Sequence, residues 1–160
     1  MKNALRYADE HQDRFVSELE ELLRIPSIST DSEYADDVQQ AANWLASHLR
    51  SIGVQIVEVC ETDGHPIVYA EHMAAGPDAP TVLVYGHYDV QPPDPLDLWD
   101  SPPFEPVRKN GEGAGETLYA RGAADDKGQM FMHLKAVESY LAEEGEIPVN
   151  LKFLIEGEEE

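Results

Sequence analysis

The stretch Thr81-Val82-Leu83-Val84-Tyr85-Gly86-His87-Tyr88-Asp89 decides how the rest of the chain is read. Thr81 to Tyr85 carry no charge and favour β structure, so they read as a fully buried strand. Gly86 ends the run, and His87 and Asp89 follow at once. In open α/β sheets, ligands and chemistry gather just outside the carboxyl ends of the strands. A His and an Asp at that place are positioned for metal binding or proton transfer. Alone, H-x-D is a weak signal, met as well by a hydrogen-bonded His at a strand end.

Outward from this strand, helical and strand patterns alternate. Leu5, Ala8, Phe15, Leu19, Leu22 and Leu23 suit one amphipathic helix over residues 4–23, stopped by Pro26. Val38, Ala41, Ala42, Leu45, Leu49 and Ile52 form the buried stripe of a second helix over 35–52, with Gly53 at its left-handed end. Residues 54–59 and 67–71 read as a hairpin around Asp63-Gly64. After Asp89, six prolines between Gln91 and Pro106 make a stiff, irregular segment that cannot join a sheet interior, pinned by Trp99 and Phe104. Residues 110–115 read as a flexible tip, 117–120 as a short strand, 129–144 as a helix ended by Gly145, and 148–155 as the last strand. No internal repeat or domain linker interrupts this order.

Composition narrows the function. Thirty-two acidic residues against eleven basic ones give a net charge of −21. Such a field repels nucleic acid and anionic membrane. The acids are spread along the chain, which fits general surface solvation in a salt-rich cytoplasm better than a specific cationic partner. The single cysteine, Cys60, rules out an internal disulfide and a Cys-rich zinc site, and reads as a small core hydrophobe. Residues 1–7 lack the apolar core of a secretory signal, and no stretch approaches the ~20 apolar residues of a membrane span. A cytoplasmic location is expected.

Two further sites join His87 and Asp89. Gly122-Ala-Ala-Asp-Asp-Lys-Gly128 lies between a short strand and a helix. Asp126 suits a plain helix N-cap, yet two adjacent carboxylates in a glycine-bounded turn fit a metal site better. Glu156-Gly-Glu-Glu-Glu160 directly follows the last strand. A terminal acidic run is usually a solvated tail. At a strand end, crowded like charges are costly without a cation. Together, three strand ends offer His, Asp and Glu-Glu, the inventory of a two-metal hydrolase. P-loop, Rossmann and G-x-S-x-G patterns are absent.

At these residues the sequence resembles the cocatalytic zinc exopeptidases, which include carnosinase-type dipeptidases, aminoacylases and succinyl-diaminopimelate desuccinylase. Tyr85-Gly-His-Tyr-Asp-Val-Gln-Pro92 resembles the dipeptidase branch. Leu118-Tyr-Ala-Arg-Gly-Ala-Ala-Asp-Asp-Lys-Gly128 and Ile155-Glu-Gly-Glu-Glu-Glu160 match the second and third blocks of that family, in the same order and relative spacing.

The resemblance implies an α/β fold: part of a three-layer α/β/α catalytic domain with a mixed, mostly parallel sheet. It implies two divalent metal ions, zinc first, with manganese or cobalt as alternatives. His87 would ligate one metal and Asp89 would orient it. Asp125 would bridge both metals, Glu159 would be the general base, and Glu160 would ligate the other metal. The pair Glu158/Glu159 is the alternative register. A cis peptide between Asp125 and Asp126 is also implied.

The implied reaction is metal-dependent hydrolysis of a dipeptide or similar small peptide, with Glu159 activating a metal-bridged water. The alternatives are an N-acyl amino acid amidase or deacylase, and a non-catalytic acidic module that binds cations or a partner. Members of the family are longer. By resemblance, residues 1–160 are the N-terminal part of the catalytic domain, without the lid or dimerisation domain and the C-terminal half. The full-length form is then expected to be a homodimer. The 160 residues alone are expected to be inactive, with an exposed sheet edge and poor solubility.

Overall fold

The computed structural model describes residues 2–111 and 115–160. The elements are α1 (Lys2–Glu10), α2 (Gln12–Leu23), α3 (Ala35–Ser51), β1 (Ile56–Cys60), β2 (Ile67–His72), β3 (Thr81–His87), β4 (Val107–Gly111), β5 (Gly115–Tyr119), α4 (Lys127–Glu144) and β6 (Asn150–Glu156). Half of the expected tip, residues 112–114, lies outside the described residues, as does Met1, and the other half falls in β4 and β5. Among the described residues, no helix is long and apolar enough to cross a membrane.

The helices follow their apolar spacing. Val38, Ala41, Ala42, Leu45 and Leu49 are all fully buried along α3. Each fully buried Leu contributes roughly 1.5–3 kcal/mol. Gly53 takes φ +95°, and the amide of Val54 returns to the Leu49 carbonyl, which closes the helix end. Gly145, at φ +73°, ends α4 in the same way. The single helix expected over residues 4–23 is instead two, because His11 leaves helical geometry (φ −113°, ψ 12°) and stacks on Tyr7 at 4.0 Å. Ala4 enters the core in this arrangement and Leu5 stays exposed.

The main sheet has the order β1-β2-β6-β3, and β4 pairs with β5 in a separate hairpin. The fold is mixed α/β with a mixed sheet, but the expectation of a mostly parallel sheet is corrected. β1–β2 and β2–β6 are antiparallel, and only β3–β6 is parallel. The short turn between β1 and β2 permits only a hairpin, whereas α4 supplies the crossover that a parallel pair needs.

The core lies on one face of this sheet. Val68, Ala70, Leu151, Phe153 and Ile155 pack there with Leu45 and Leu49 of α3 and Met130 and Leu134 of α4. The alternate residues Ile56, Tyr69, Glu71, Lys152, Leu154, Leu83 and Tyr85 share the other face by register. No described helix covers it, so two layers are present among the described residues.

The expectation that residues 81–85 form a fully buried strand is overturned. β3 is an edge strand, and Leu83 is 60% and Tyr85 52% exposed. Cys60 is half-buried on edge strand β1 rather than a core residue. Burial of β3 begins only at Gly86 and His87, where the candidate site residues start.

Candidate metal centre

Glycine lets β3 end against the turn before α4. A Cβ on Gly86 would lie 2.7 Å from Asp126 Oδ2. That carboxylate comes close enough to accept the His87 amide at 3.2 Å. The peptide bond between Asp125 and Asp126 is cis, as expected. Asp125 lies on the open side of the turn, its side chain 65% exposed.

His87 is almost fully buried. Its Nδ1 lies 3.3 Å from Asp89 Oδ1, and its Nε2 lies 3.2 Å from Asp125 Oδ1 and 3.9 Å from Glu159 Oε2. Burial alone would lower the imidazole pKa. The carboxylates of Asp89, Asp126, Glu159 and Asp125 outweigh it and raise the value. The same negative field favours a cation in this pocket.

β6 brings the acidic run to the same place. The Tyr88 amide donates to the Glu156 carbonyl at 2.9 Å, which continues the parallel pairing beyond the strands. A Cβ on Gly157 would meet the Tyr88 hydroxyl at 2.3 Å, so glycine is needed where the chain crosses that buried ring. Glu158 then turns away, its Oε2 accepting the His65 amide at 3.1 Å. Glu159 and Glu160 remain on the His87 side, and their amides donate to Asp89 Oδ1 at 3.2 Å and Oδ2 at 3.0 Å. Arg121 pairs with Glu160 at 3.1 Å.

The structure thus brings together all five residues singled out in the sequence. One donor atom each from His87, Asp125 and Glu160 lies within 4.8 Å of the others. Imidazole and carboxylate donors at this spacing fit a divalent metal. A second His/Glu grouping, of Glu18, His48 and Glu138, has the same spacing. The Lys135 ammonium already sits on it, bonded to all three. Sequence reasoning missed Arg121, Asp126 as a holder of β3, and Ser29, whose Oγ donates to Asp89 Oδ2 at 2.7 Å. Ser29 and Arg121 meet partners 60 and 39 residues away, so no local pattern could announce them.

Residues 83–160 match the model of Peptidase family M20/M25/M40. Residues 83–160 are a peptidase M20 domain. The Beta-Ala-His dipeptidase of Homo sapiens is 34% identical over 172 residues, an alignment covering 100% of this chain and 33% of that protein. The solved structure of the dipeptidase Dug1p of Saccharomyces cerevisiae superposes with a TM-score of 0.86 at 29% identity, covering 98% of this chain and 34% of that one. Human carnosine dipeptidase 1 gives 0.86 at 33% identity, covering 99% and 34%. The chain therefore spans about a third of the length of the relatives it matches. Membership of this family of metallopeptidases implies a divalent-metal cofactor.

Proposed function

We propose that these residues are the N-terminal part of the catalytic domain of a dipeptidase, a metal-dependent hydrolase of small peptides. The observation that carries this reading is the meeting of His87, Asp125 and Glu160 at three element ends, with Glu159 beside them. Two zinc ions are the reading proposed for this donor set. His87 would hold one, Glu160 the other, and Asp125 would be shared. Bound there, the metal supplies Lewis-acid polarisation of the scissile carbonyl and lowers the pKa of water.

The chain's own residues do the rest. Asp89 faces His87 Nδ1, which leaves Nε2 directed at Asp125. Arg121 holds Glu160 at Oε1. Glu159 takes a proton from the attacking water and returns it to the leaving amine. Glu158, held at His65, supports the register in which Glu159 is the base. Because the chain spans about a third of its relatives, the 160 residues alone are assigned no peptidase activity. Chelator-sensitive dipeptide cleavage by the purified chain would contradict that assignment.

In the full-length protein, Glu159→Gln is expected to lower kcat for a dipeptide by about 10²–10⁴-fold. Glu158→Gln is expected to keep most of the activity, and a chelator to abolish it in the unsubstituted protein. Full activity in Glu159→Gln would overturn the base assignment. Faster turnover of N-acetyl amino acids than of dipeptides would favour an amidase instead.

A further inference from the structure

The loop between α2 and α3 reaches the metal centre through one side chain. Its backbone is fixed against the segment after β3. The Val90 amide donates to the Ser27 carbonyl at 2.9 Å, and Ser27 Oγ donates to the Tyr88 carbonyl at 2.6 Å. Ile28 and Val90 form a parallel bridge, and both are buried. This alignment places Ser29 Oγ 2.7 Å from Asp89 Oδ2. From the other side, His65 Nε2 lies 2.8 Å from the Ser29 carbonyl, so that nitrogen carries the proton and donates.

Asp89 is completely buried, so its carboxylate depends on protein donors. These are Ser29 Oγ and the amides of Glu159 and Glu160, with His87 Nδ1 at 3.3 Å. One carboxylate therefore sets both the imidazole and the backbone of the two glutamates. The Ser29 hydroxyl makes the shortest of these contacts and shares Oδ2 with the Glu160 amide. We infer that Ser29 is a positioning residue for the metal centre: through Asp89 it sets the placement of His87, Glu159 and Glu160. Removing it leaves the buried Oδ2 one donor short, held from then on by the Glu160 amide alone of these groups, and loosens the hold on the carboxylate. This inference rests on the metal centre proposed above.

The test compares the full-length protein with Ser29→Ala and Ser29→Thr. Cobalt(II) affinity is read from d–d absorption, and amide hydrogen exchange of residues 156–160 is read in the metal-free state. Ser29→Ala is expected to weaken cobalt binding about tenfold or more and to speed exchange at Glu159 and Glu160. Ser29→Thr, which keeps the hydroxyl, is expected to restore both at an unchanged melting temperature. Wild-type values in Ser29→Ala, or equal losses in both variants, would overturn the inference. Neither readout uses hydrolysis. A protein that binds cobalt yet cleaves no peptide would contradict the proposed function and leave the Ser29 assignment standing. If cobalt does not bind at all, the proposed centre fails, and the exchange data still decide whether Ser29 controls the hold of Asp89 on the two amides.

Discussion

Gly128 sits where the turn carrying Asp125 enters α4, and a Cβ there would lie 2.1 Å from the Ala123 carbonyl oxygen. A backbone oxygen cannot swing aside as a flexible side chain can. Gly128→Ala is therefore expected to cost about 1–3 kcal/mol and to move Asp125 out of reach of His87. Gly145→Ala is the control for backbone strain alone. Its site has open space at φ +73°, so about 1 kcal/mol is expected. Urea denaturation midpoints read both, and equal costs would contradict the packing argument. At this scale the sequence was informative wherever a motif is local. His87 and Asp89 are two residues apart, Asp125 lies in a glycine-bounded turn, and Glu159 and Glu160 adjoin a strand end. The triple glutamate was read as Glu159/Glu160 with Glu158/Glu159 left as the alternative, and the contact that turns Glu158 aside was hidden because its partner, His65, is 93 residues away.

α4 is locked to the first three helices by a charged cluster at some distance from the centre. Lys135 on α4 donates to Glu18 of α2, to His48 Nε2 of α3 at 2.6 Å, and to Glu138 of its own helix at 2.8 Å. Arg14 of α2 and Tyr7 of α1 also reach Glu138. Burial first, and then the Lys135 charge, push the His48 pKa down to about 4, with Glu18 and Glu138 opposing. The folded value lies below the unfolded value of about 6.5. The contribution of neutral His48 is thus complete above pH 6.5 and is lost as pH falls toward 4. Discounted for its partial exposure, the loss is about 1–2 kcal/mol.

Glu18 and Glu138 have lowered pKa values, so their contributions are lost only at lower pH. Unfolding measured at pH 6.5 and 5 should show a smaller fall in stability for His48→Gln than for the unsubstituted chain. Equal falls would remove His48 from the account. The elements themselves were legible where apolar spacing is regular, as in α3. The break at His11 was not, since stacking on Tyr7 is a contact rather than a pattern. The exposure of β3 was hidden as well. An uncharged strand reads alike whether its flank is covered by this chain's described elements or left open.

At the scale of the molecule, the described chain is a sheet covered on one face, with edge strand β3 leading directly into the candidate metal centre. The net charge of −21 surrounds a pocket that itself gathers Asp89, Asp125, Asp126, Glu159 and Glu160 around His87. The family was legible because its three motifs are each contiguous. The layering was less so, because the helices and strands described here fill one side of the sheet only. The central claim is that His87, Asp125 and Glu160 form a divalent-metal site. The competing His/Glu cluster of Glu18, His48 and Glu138 already has its cation in Lys135. The most direct test is an anomalous difference map at the zinc edge from crystals of the zinc-loaded full-length protein. The account predicts zinc density bounded by His87, Asp125 and Glu160. Zinc found instead at Glu18, His48 and Glu138, or nowhere near His87, would contradict it.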